Sequence, residues 1–209
     1  SFLFLVMIFL SVGSSIDVFI SSLFYYGNSN FALQSYYSVT IFFRKILLPL
    51  VIFYILILPI ISIFIPIKWL FFNYKFRLKD IVFLWISSIV NILIIVNVVL
   101  KNFWGRSRPG DILQFGGKES FTPWYQISDT CNINCSFVSG DAAVGFSLIA
   151  LYFLIKKEMF FWLSIFFGFS IGLIRIMEGG HFVSDVVMSA VILYIGYYFQ
   201  TKYYIKKYV

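Results

Sequence analysis

The stretch IVFLWISSIVNILIIVNVVL, residues 81–100, contains 20 consecutive residues without a charged side chain. About 20 mostly apolar residues make a helix long enough to cross the hydrocarbon core of a bilayer. Five further apolar segments occur along the chain, so the predicted spans are 2–24, 46–70, 81–100, 138–155, 159–174 and 182–199. The sequence therefore predicts an all-α, polytopic membrane helix bundle with six transmembrane helices.

The overall composition agrees with lipid as the solvent. Hydrophobic residues make up 61% of the 209 residues, charged residues make up 12%, and the mean hydropathy is +0.92. These values exclude an ordinary water-soluble domain. Six spans leave no room for a second domain, so residues 1–209 are predicted to form one integral-membrane domain.

Two segments near the start need separate interpretation. The first apolar segment begins at Ser1 without Met or a basic leader, so we expect the first helix to be truncated in this sequence. A cleaved signal peptide is the alternative for that segment. Residues 25–45 mix Asn, Ser and Gln with Tyr and Phe, which predicts a helix lying in the membrane interface.

The positive charge of the chain is explained by membrane topology. Six spans place both chain ends, the connection 68–80 and the turn 156–158 on one side. The basic residues of that side are Lys68, Lys75, Arg77, Lys79, Lys156, Lys157, Lys202, Lys206 and Lys207. Only Asp80 and Glu158 accompany them as acids, so the positive-inside rule predicts that this side is cytoplasmic. The formal charge of +7 is therefore not interpreted as a nucleic-acid surface.

The first polar motif of the opposite side is KNFWGRSRP, residues 101–109. It places Lys101, Arg106 and Arg108 at the end of the third predicted span. Pro109 disfavours helical geometry at Arg108, so the helix is predicted to give way to an extended segment. The cations either bind an anion or anchor the helix at the lipid headgroups.

The second motif is CSFVSGDAAVGFS, residues 135–147. Ser136 or Ser139 is predicted to cap the fourth span, and Gly140 lets a ligand approach the backbone. Free amides at such a helix start favour anions. An ordinary cap in a small-residue helix interface is the alternative. Asp141 favours the functional interpretation, because a carboxylate inside a membrane helix is costly without a partner or a role.

The third motif is RIMEGGHFVSD, residues 175–185, between the fifth and sixth spans. It contains Arg175 and the only histidine of the chain, His181. Asp185 follows four residues later, so on a helix both side chains share one face and the carboxylate can hold one imidazole nitrogen. The other nitrogen is then free for nucleophilic attack.

All three motifs lie on the same side of the predicted bundle. Cations, a helix start, a nucleophile and a further carboxylate together predict a site for a phosphate dianion that undergoes in-line displacement. The sequence lacks the cluster of carboxylates and histidines that a two-metal site requires. We therefore expect a metal-independent reaction without a cofactor.

In these motifs the chain resembles the type 2 phosphatidic acid phosphatase superfamily of six-span lipid phosphatases. The match covers spans three to six through Lys101 with Arg108-Pro109, then Ser139-Gly140, then Arg175, His181 and Asp185. The resemblance implies that the phosphate is bound by Lys101, Arg108 and Arg175, assisted by Ser139 and the Gly140 amide. It further implies that His181 forms a phosphohistidine and that Asp185 orients the imidazole.

One position departs from this family. Its second motif usually reads Ser-Gly-His, with the histidine protonating the leaving oxygen, whereas this chain has Asp141. We predict that Asp141 is the acid here. The segments 14–25 and 131–141 are similar to the bacterial branch that includes lipid A phosphatases.

The resemblance implies a lipid phosphate phosphatase of the bacterial inner (cytoplasmic) membrane, with its active site facing the periplasm. A weaker acid at Asp141 costs least with a good leaving group, so the 1-phosphate of lipid A is the predicted substrate. Undecaprenyl pyrophosphate, phosphatidylglycerol phosphate and phosphatidic acid are alternatives. So are a phosphotransferase reaction and, in another class, a noncatalytic lipid-phosphate binder or transporter. The expected partners are the lipid phosphate and the bilayer, with no nucleic acid.

Cys131 and Cys135 lie in the connection that precedes the second motif. An outward location permits a disulfide, and three intervening residues allow one only if the chain turns sharply. We predict the bridge, and two free thiols are the alternative.

Overall fold

The computed structural model describes residues 15–33, 37–65 and 68–208 of the chain. These residues are mainly helical. Their β contacts are two isolated bridges, one between Tyr25 and Phe31 and one between Ile112 and Glu119. The predicted all-α class is confirmed for this part of the protein.

Ten α-helical segments are present in the described residues. They are α1 Ser15–Ser22, α2 Tyr37–Ile41, α3 Leu48–Leu56, α4 Leu58–Phe64, α5 Leu78–Ser88, α6 Lys101–Phe103, α7 Gly140–Phe146, α8 Ile149–Ile155, α9 Glu158–Met177 and α10 Val183–Tyr208. Two π-helical stretches join α-helices into longer continuous helices. Phe42–Leu47 joins α2 to α3, and Ile89–Leu100 joins α5 to α6. Short 3-10 turns occupy Lys68–Phe71, Pro109–Asp111 and Leu113–Phe115.

Within the described residues, four helices are long and apolar enough to cross a membrane, so the six predicted spans are not confirmed. The four are Ser38–Leu56, Leu78–Phe103, Glu158–Met177 and Val183–Lys206. The predicted fourth span corresponds to a shorter apolar helix, Gly140–Ile155. Of the predicted first span, residues 2–14 lie outside the described residues, and α1 covers most of the remainder.

The predicted interfacial helix over residues 25–45 is not seen as a separate element. Tyr25–Phe31 forms a tight turn closed by a bridge. Residues 38–45 instead belong to the first described long helix, Ser38–Leu56. The sequence interpretation was based on polar residues among Tyr and Phe, and three of these, Asn28, Ser29 and Asn30, lie in the turn and not on a helix.

Close packing of α7 against α9 fixes the middle of the bundle. A Cβ atom on Gly145 would lie 2.8 Å from Gly168 Cα, so only a residue without a side chain permits this approach. Around this contact lies a continuous apolar core that includes Phe137, Phe146 and Leu193.

The three motifs meet at one end of the bundle, where α6 and α9 end and α7 and α10 begin. Backbone hydrogen bonds tie them together: the Ser136 amide donates to the Arg106 carbonyl at 2.8 Å, and the Ser139 amide donates to the Asp185 carbonyl at 3.3 Å. Distant parts of the sequence therefore share one rigid end of the fold.

Candidate active site

The first motif leaves its helix as the sequence predicts. The helix ends at Phe103, and Arg108 is extended with φ −81° and ψ 159°. Arg108 donates from Nε and Nη2 to the Asn134 carbonyl at 3.3 and 2.8 Å. Lys101 Nζ donates to Asn134 Oδ1 at 3.2 Å. One residue of the connection thus holds two of the predicted phosphate ligands.

The connection is closed by a disulfide between Cys131 and Cys135, as predicted. Asn134, inside the small loop, has a positive φ of 53°, which asparagine tolerates better than most residues. The Cys135 amide donates to the Lys101 carbonyl at 3.3 Å. The bridge therefore holds the loop against the end of the first motif.

The second motif begins α7 with Ser139, not Ser136, as its cap. The Ala142 amide donates to Ser139 Oγ at 3.5 Å. Gly140 lies beside Lys101, because a Cβ atom there would be 3.3 Å from the Lys101 ammonium nitrogen. The glycine lets this predicted cation lie against the helix start.

Asp141 lies between two arginines. Its Oδ2 is 3.4 Å from Arg44 Nε and 3.3 Å from Arg175 Nε. The carboxylate is 24% exposed and Arg44 is 53% exposed, so this group is open to solvent. The sequence interpretation missed Arg44 as a site residue, although a cation inside an apolar helix is itself a signal of a partner.

Arg175 comes from the last turn of α9 and is held from behind by Glu178. A Cβ atom on Gly180 would lie 2.6 Å from Arg175 Nη2. The glycine therefore makes room for the guanidinium group, which explains a glycine at this place in the third motif.

His181 is buried, with 1% of its surface exposed. Its Nδ1 lies 2.7 Å from the Ser136 carbonyl oxygen. A carbonyl oxygen can only accept, so Nδ1 carries the proton and Nε2 keeps a free lone pair. The imidazole is thus set in the tautomer that a nucleophile requires.

The predicted direct contact between His181 and Asp185 is not a hydrogen bond, because Nδ1 and Oδ2 are 3.8 Å apart. His181 and Asp185 do not share a helix face, because α10 begins only at Val183, after His181. Asp185 instead accepts a 2.5 Å hydrogen bond from the Ser136 hydroxyl, and the Ser136 carbonyl holds the imidazole. Ser136 thus links the acid to the imidazole, a role that the sequence interpretation missed.

A buried charge network surrounds Asp185. Arg106 donates from Nη1 to Asp185 Oδ1 at 2.6 Å and from Nη2 to Asp17 Oδ2 at 2.8 Å. All three side chains are fully buried. The guanidinium carbon also lies 4.2 Å from the centre of the Phe182 ring. Asp17 was missed as a member of the site. Arg106 was grouped with Lys101 and Arg108 as a candidate anion ligand, and its buried pairing was missed, although acids and bases in apolar segments signal buried pairs.

The electrostatic environment favours neutral imidazole. Burial lowers the pKa of His181 from 6.5 to about 4, and it outweighs the attraction of Asp185 for the cation. Burial also lowers the pKa of Arg108, and repulsion from Arg175 acts in the same direction.

A cavity of about 280 Å³ opens at this end of the bundle. Three guanidinium groups line it, those of Arg44, Arg108 and Arg175, and so does Gly180, the residue before His181. Planar guanidinium groups match the oxygens of a phosphate in pairs. The cavity therefore has the charge and size for a phosphate group, and the predicted ligands Arg108 and Arg175 are both present.

Comparison with known proteins agrees with this arrangement. Residues 81–207 match the model of the PAP2 superfamily. The chain belongs to the PAP2 superfamily. The resemblance inferred from the motifs is confirmed.

Two relatives of this PAP2 chain carry the same name. It is 41% identical over 129 residues to a "Lipid A 4'-phosphatase" of Francisella tularensis subsp. novicida (strain U112), covering 60% of this chain and 58% of the relative. It is 34% identical over 107 residues to a "Lipid A 4'-phosphatase" of Rhizobium leguminosarum, covering 49% and 46%. The chain spans less than two thirds of the length of these relatives. No solved structure matches it.

The range matched by the family model covers only part of the site of this PAP2 protein. It contains all the residues predicted from the motifs, from Lys101 to Asp185. Asp17 and Arg44 lie outside it, yet one completes the buried network and the other lines the cavity. The N-terminal part of the chain is therefore a structural component of the site.

Proposed function

We propose that the chain is a lipid phosphate phosphatase that removes phosphate from lipid A through a phosphohistidine. The carrying observation is the tautomer of His181, which the Ser136 carbonyl sets. The residue before it, Gly180, lines a cavity with three arginines. A neutral imidazole with one free nitrogen is the state that attacks phosphorus. The names of the relatives support lipid A as the substrate.

The proposed reaction has two steps. His181 Nε2 forms a bond to phosphorus while the bond from phosphorus to the lipid oxygen breaks, and Asp141 gives the leaving oxygen a proton. Water then attacks the phosphohistidine, passes a proton to Asp141 and releases inorganic phosphate. The developing charge on the phosphoryl oxygens is stabilised by Lys101, Arg108 and Arg175, with Ser139 and the Gly140 amide assisting. No step uses a metal or a cofactor.

For the substrate position, the names of the relatives favour the 4'-phosphate of lipid A. The leaving-group argument at Asp141 favours the 1-phosphate instead, because an anomeric oxygen needs its proton less. We propose the 4'-phosphate as the first substrate and the 1-phosphate as the second candidate. Both are monoesters on a sugar and present the same dianion to the cavity.

The proposed location is the bacterial inner membrane, with the cavity facing the periplasm. The support is the charge at the other end of the bundle, where Lys75, Arg77 and Lys156 lie at helix ends. Basic residues of this kind accumulate on the cytoplasmic side of membrane proteins.

The test is product analysis with purified protein in detergent. Lipid A that carries both phosphates is the substrate, and mass spectrometry locates the phosphate that is lost. Undecaprenyl pyrophosphate, phosphatidylglycerol phosphate and phosphatidic acid complete the panel. We expect loss of the 4'-phosphate first, unchanged by a chelator.

The matched variants are His181→Ala and, at an exposed cation, Lys118→Gln. We expect His181→Ala to lower turnover at least about 10³-fold while the protein still binds lipid A, because only the nucleophile is removed. Lys118→Gln should behave as the unmodified protein. Full activity in His181→Ala would exclude the phosphohistidine. Binding without turnover in the unmodified protein would indicate a noncatalytic binder, and release that depends on an added alcohol would indicate a phosphotransferase.

A further inference from the structure

A second charged cavity lies at the end of the bundle opposite the candidate active site. Its volume is about 430 Å³. The helix Leu78–Phe103 begins beside this cavity and ends at the first motif. At about 1.5 Å per residue, its 26 residues separate the two ends by roughly 40 Å. The cavity is therefore no part of the site described above.

Three cations line this distal cavity, namely Lys75, Arg77 and Lys156. Arg77 is paired with Asp80, with Nη2 and Oδ1 3.2 Å apart. Lys75 and Lys156 are exposed, and neither has a carboxylate within 4 Å in the part of the chain that the structure describes. The cavity thus carries positive charge that the described protein does not neutralise.

Asp80, the acid beside this cavity, already has hydrogen-bond partners within the protein. Asp80 is buried and accepts hydrogen bonds from the Arg77 amide at 2.8 Å, from the Arg77 side chain and from the Tyr204 hydroxyl. These contacts fix Arg77 and Tyr204 in the cavity wall. The two lysines remain available to an anion.

An apolar groove adjoins the distal cavity, and Tyr204 lines both. The groove has a volume of about 700 Å³, larger than the cavity at the candidate active site. It follows the long helix from Leu78 to Val90 and is closed on the other side by α10. The twelve helical steps from Leu78 to Val90 rise by roughly 18 Å, which accommodates much of one acyl chain.

We propose that the distal cavity and its groove bind one anionic glycerophospholipid, with the phosphate near Lys75 and Lys156 and an acyl chain along the groove. Charge complementarity selects an anionic headgroup over a zwitterionic one. The apolar groove beside the cations selects a lipid over a free phosphate, because its lining gains contact area only from a hydrocarbon chain.

The test measures binding and needs no turnover, so it can fail or succeed independently of the proposed phosphatase activity. Delipidated protein in neutral detergent is titrated with phosphatidylglycerol and with phosphatidylcholine of the same chains, and bound lipid is counted by native mass spectrometry. Phosphatidylglycerol is a diester and offers no monoester to the active site. Glycerophosphoglycerol, a phosphodiester without acyl chains, is the probe for the headgroup alone.

The decisive variant is Lys75→Gln with Lys156→Gln, and its control is Lys157→Gln with Lys202→Gln. The control removes the same charge near the same end from residues that do not line the cavity. We expect unmodified protein and control to prefer phosphatidylglycerol. The decisive variant should lose about thirtyfold in affinity for it, since each cation near a lipid surface contributes about fivefold.

Three further variants separate the groove from the active site. Val82→Trp fills the groove and should weaken phosphatidylglycerol binding. Val98→Trp should not, because Val98 is exposed nearer the C-terminal end of the same helix and does not line the groove. Arg108→Gln should keep the preference, because the lipid is bound elsewhere. Equal binding of both lipids, equal losses in the two double variants, or loss in Arg108→Gln would each overturn the proposal. Glycerophosphoglycerol binding as tightly as the lipid would overturn it too.

Discussion

Two groups of arginines and aspartates lie at the same end of the molecule and differ in their exposure to water. In the inner group, Arg106, Asp17 and Asp185 are fully buried and hydrogen-bonded to one another. In the outer group, Asp141 is 24% exposed and lies between Arg44 and Arg175 at distances above 3.2 Å. The first is a fixed support for the imidazole, and the second is a set of charges that a phosphate can enter.

The difference follows from the cost of charge without water. A buried ion pair is stable only while every partner is present, and removing one partner leaves an uncompensated charge. An exposed pair contributes little to stability, because solvent screens it. Changes in the inner group should therefore affect folding and activity together, whereas changes in the outer group should affect activity alone.

The largest effect is expected from Arg106→Gln. It leaves Asp17 and Asp185 buried without their cation, so we expect the free energy of unfolding to fall by about 3–5 kcal/mol. Activity should be lost as well, because Asp185 no longer holds Ser136. Thermal unfolding in detergent and phosphate release measure the two effects. Lys118→Gln is the control. If Arg106→Gln were as stable as this control, the inner group would not support folding, and the proposed difference between the two groups would be wrong.

The second prediction tests the inner group through His181. Burial lowers its pKa to about 4, so neutral imidazole should predominate at every pH above that value. The change from 6.5 corresponds to roughly a 300-fold change in acid strength. As pH falls, the nucleophile should therefore be lost well below the range of an exposed histidine.

Nuclear magnetic resonance of protein labelled at histidine measures this directly, since His181 is the only histidine of the chain. We expect a midpoint near pH 4 with unmodified protein. Asp185→Asn removes the carboxylate that favours the cation, so it should lower the midpoint further. A midpoint near 6.5 in the folded protein would show that the imidazole is open to water.

The placement of the motif residues was predictable from the sequence, whereas the place of Arg44 in the outer group was not. The spacing of charged residues at the ends of apolar segments predicted that Lys101, Arg108, Arg175 and His181 share one side. The extended geometry at Arg108 followed from Pro109, and the disulfide was predicted from the outward location of the two cysteines. These features depend on local chemistry and on which end of a helix a residue occupies.

The inner group was not predictable in the same way. Its geometry depends on where α10 begins, because a start at Val183 excludes a helical pairing of His181 with Asp185. It also depends on Asp17, which is 89 residues from its partner Arg106. An acid in an apolar segment indicates that a partner exists, but the sequence does not identify which of many cations it is.

The third prediction concerns Asp141→Asn in the outer group. The amide keeps the shape of the side chain but supplies no acid, so we expect kcat to fall about 10²-fold. The loss should be larger for the 4'-phosphate than for the 1-phosphate of lipid A, because its leaving oxygen is poorer. Stability should not change.

Steady-state kinetics on the two substrates measure these effects. An equal loss on both would contradict a role for Asp141 as the acid. A lowered KM with unchanged kcat would instead show that the carboxylate competes with the substrate for the arginines.

The smallest effect is expected from reduction of the disulfide, which tests the segment that connects the two groups. Cys131 and Cys135 flank Asn134, and Asn134 holds Lys101 and Arg108 of the outer side. Ser136, which follows Cys135, is buried and donates a hydrogen bond to Asp185 of the inner group. Reduction frees the exposed loop first, so the outer ligands should lose their fixed positions while the imidazole keeps its support.

The expected kinetic result is a KM raised by up to about tenfold with kcat nearly unchanged. This is smaller than the about 10²-fold that a 1 Å misplacement of a catalytic group can cost, because only substrate ligands shift. Dithiothreitol is added to unmodified protein, and Cys131→Ser with Cys135→Ser serves as the control that should not respond. Ser136 has hydrogen bonds to Arg106, Asp185 and His181 that do not depend on the bridge. If kcat fell on reduction instead, these bonds would be insufficient, and the disulfide would belong to the support of the nucleophile.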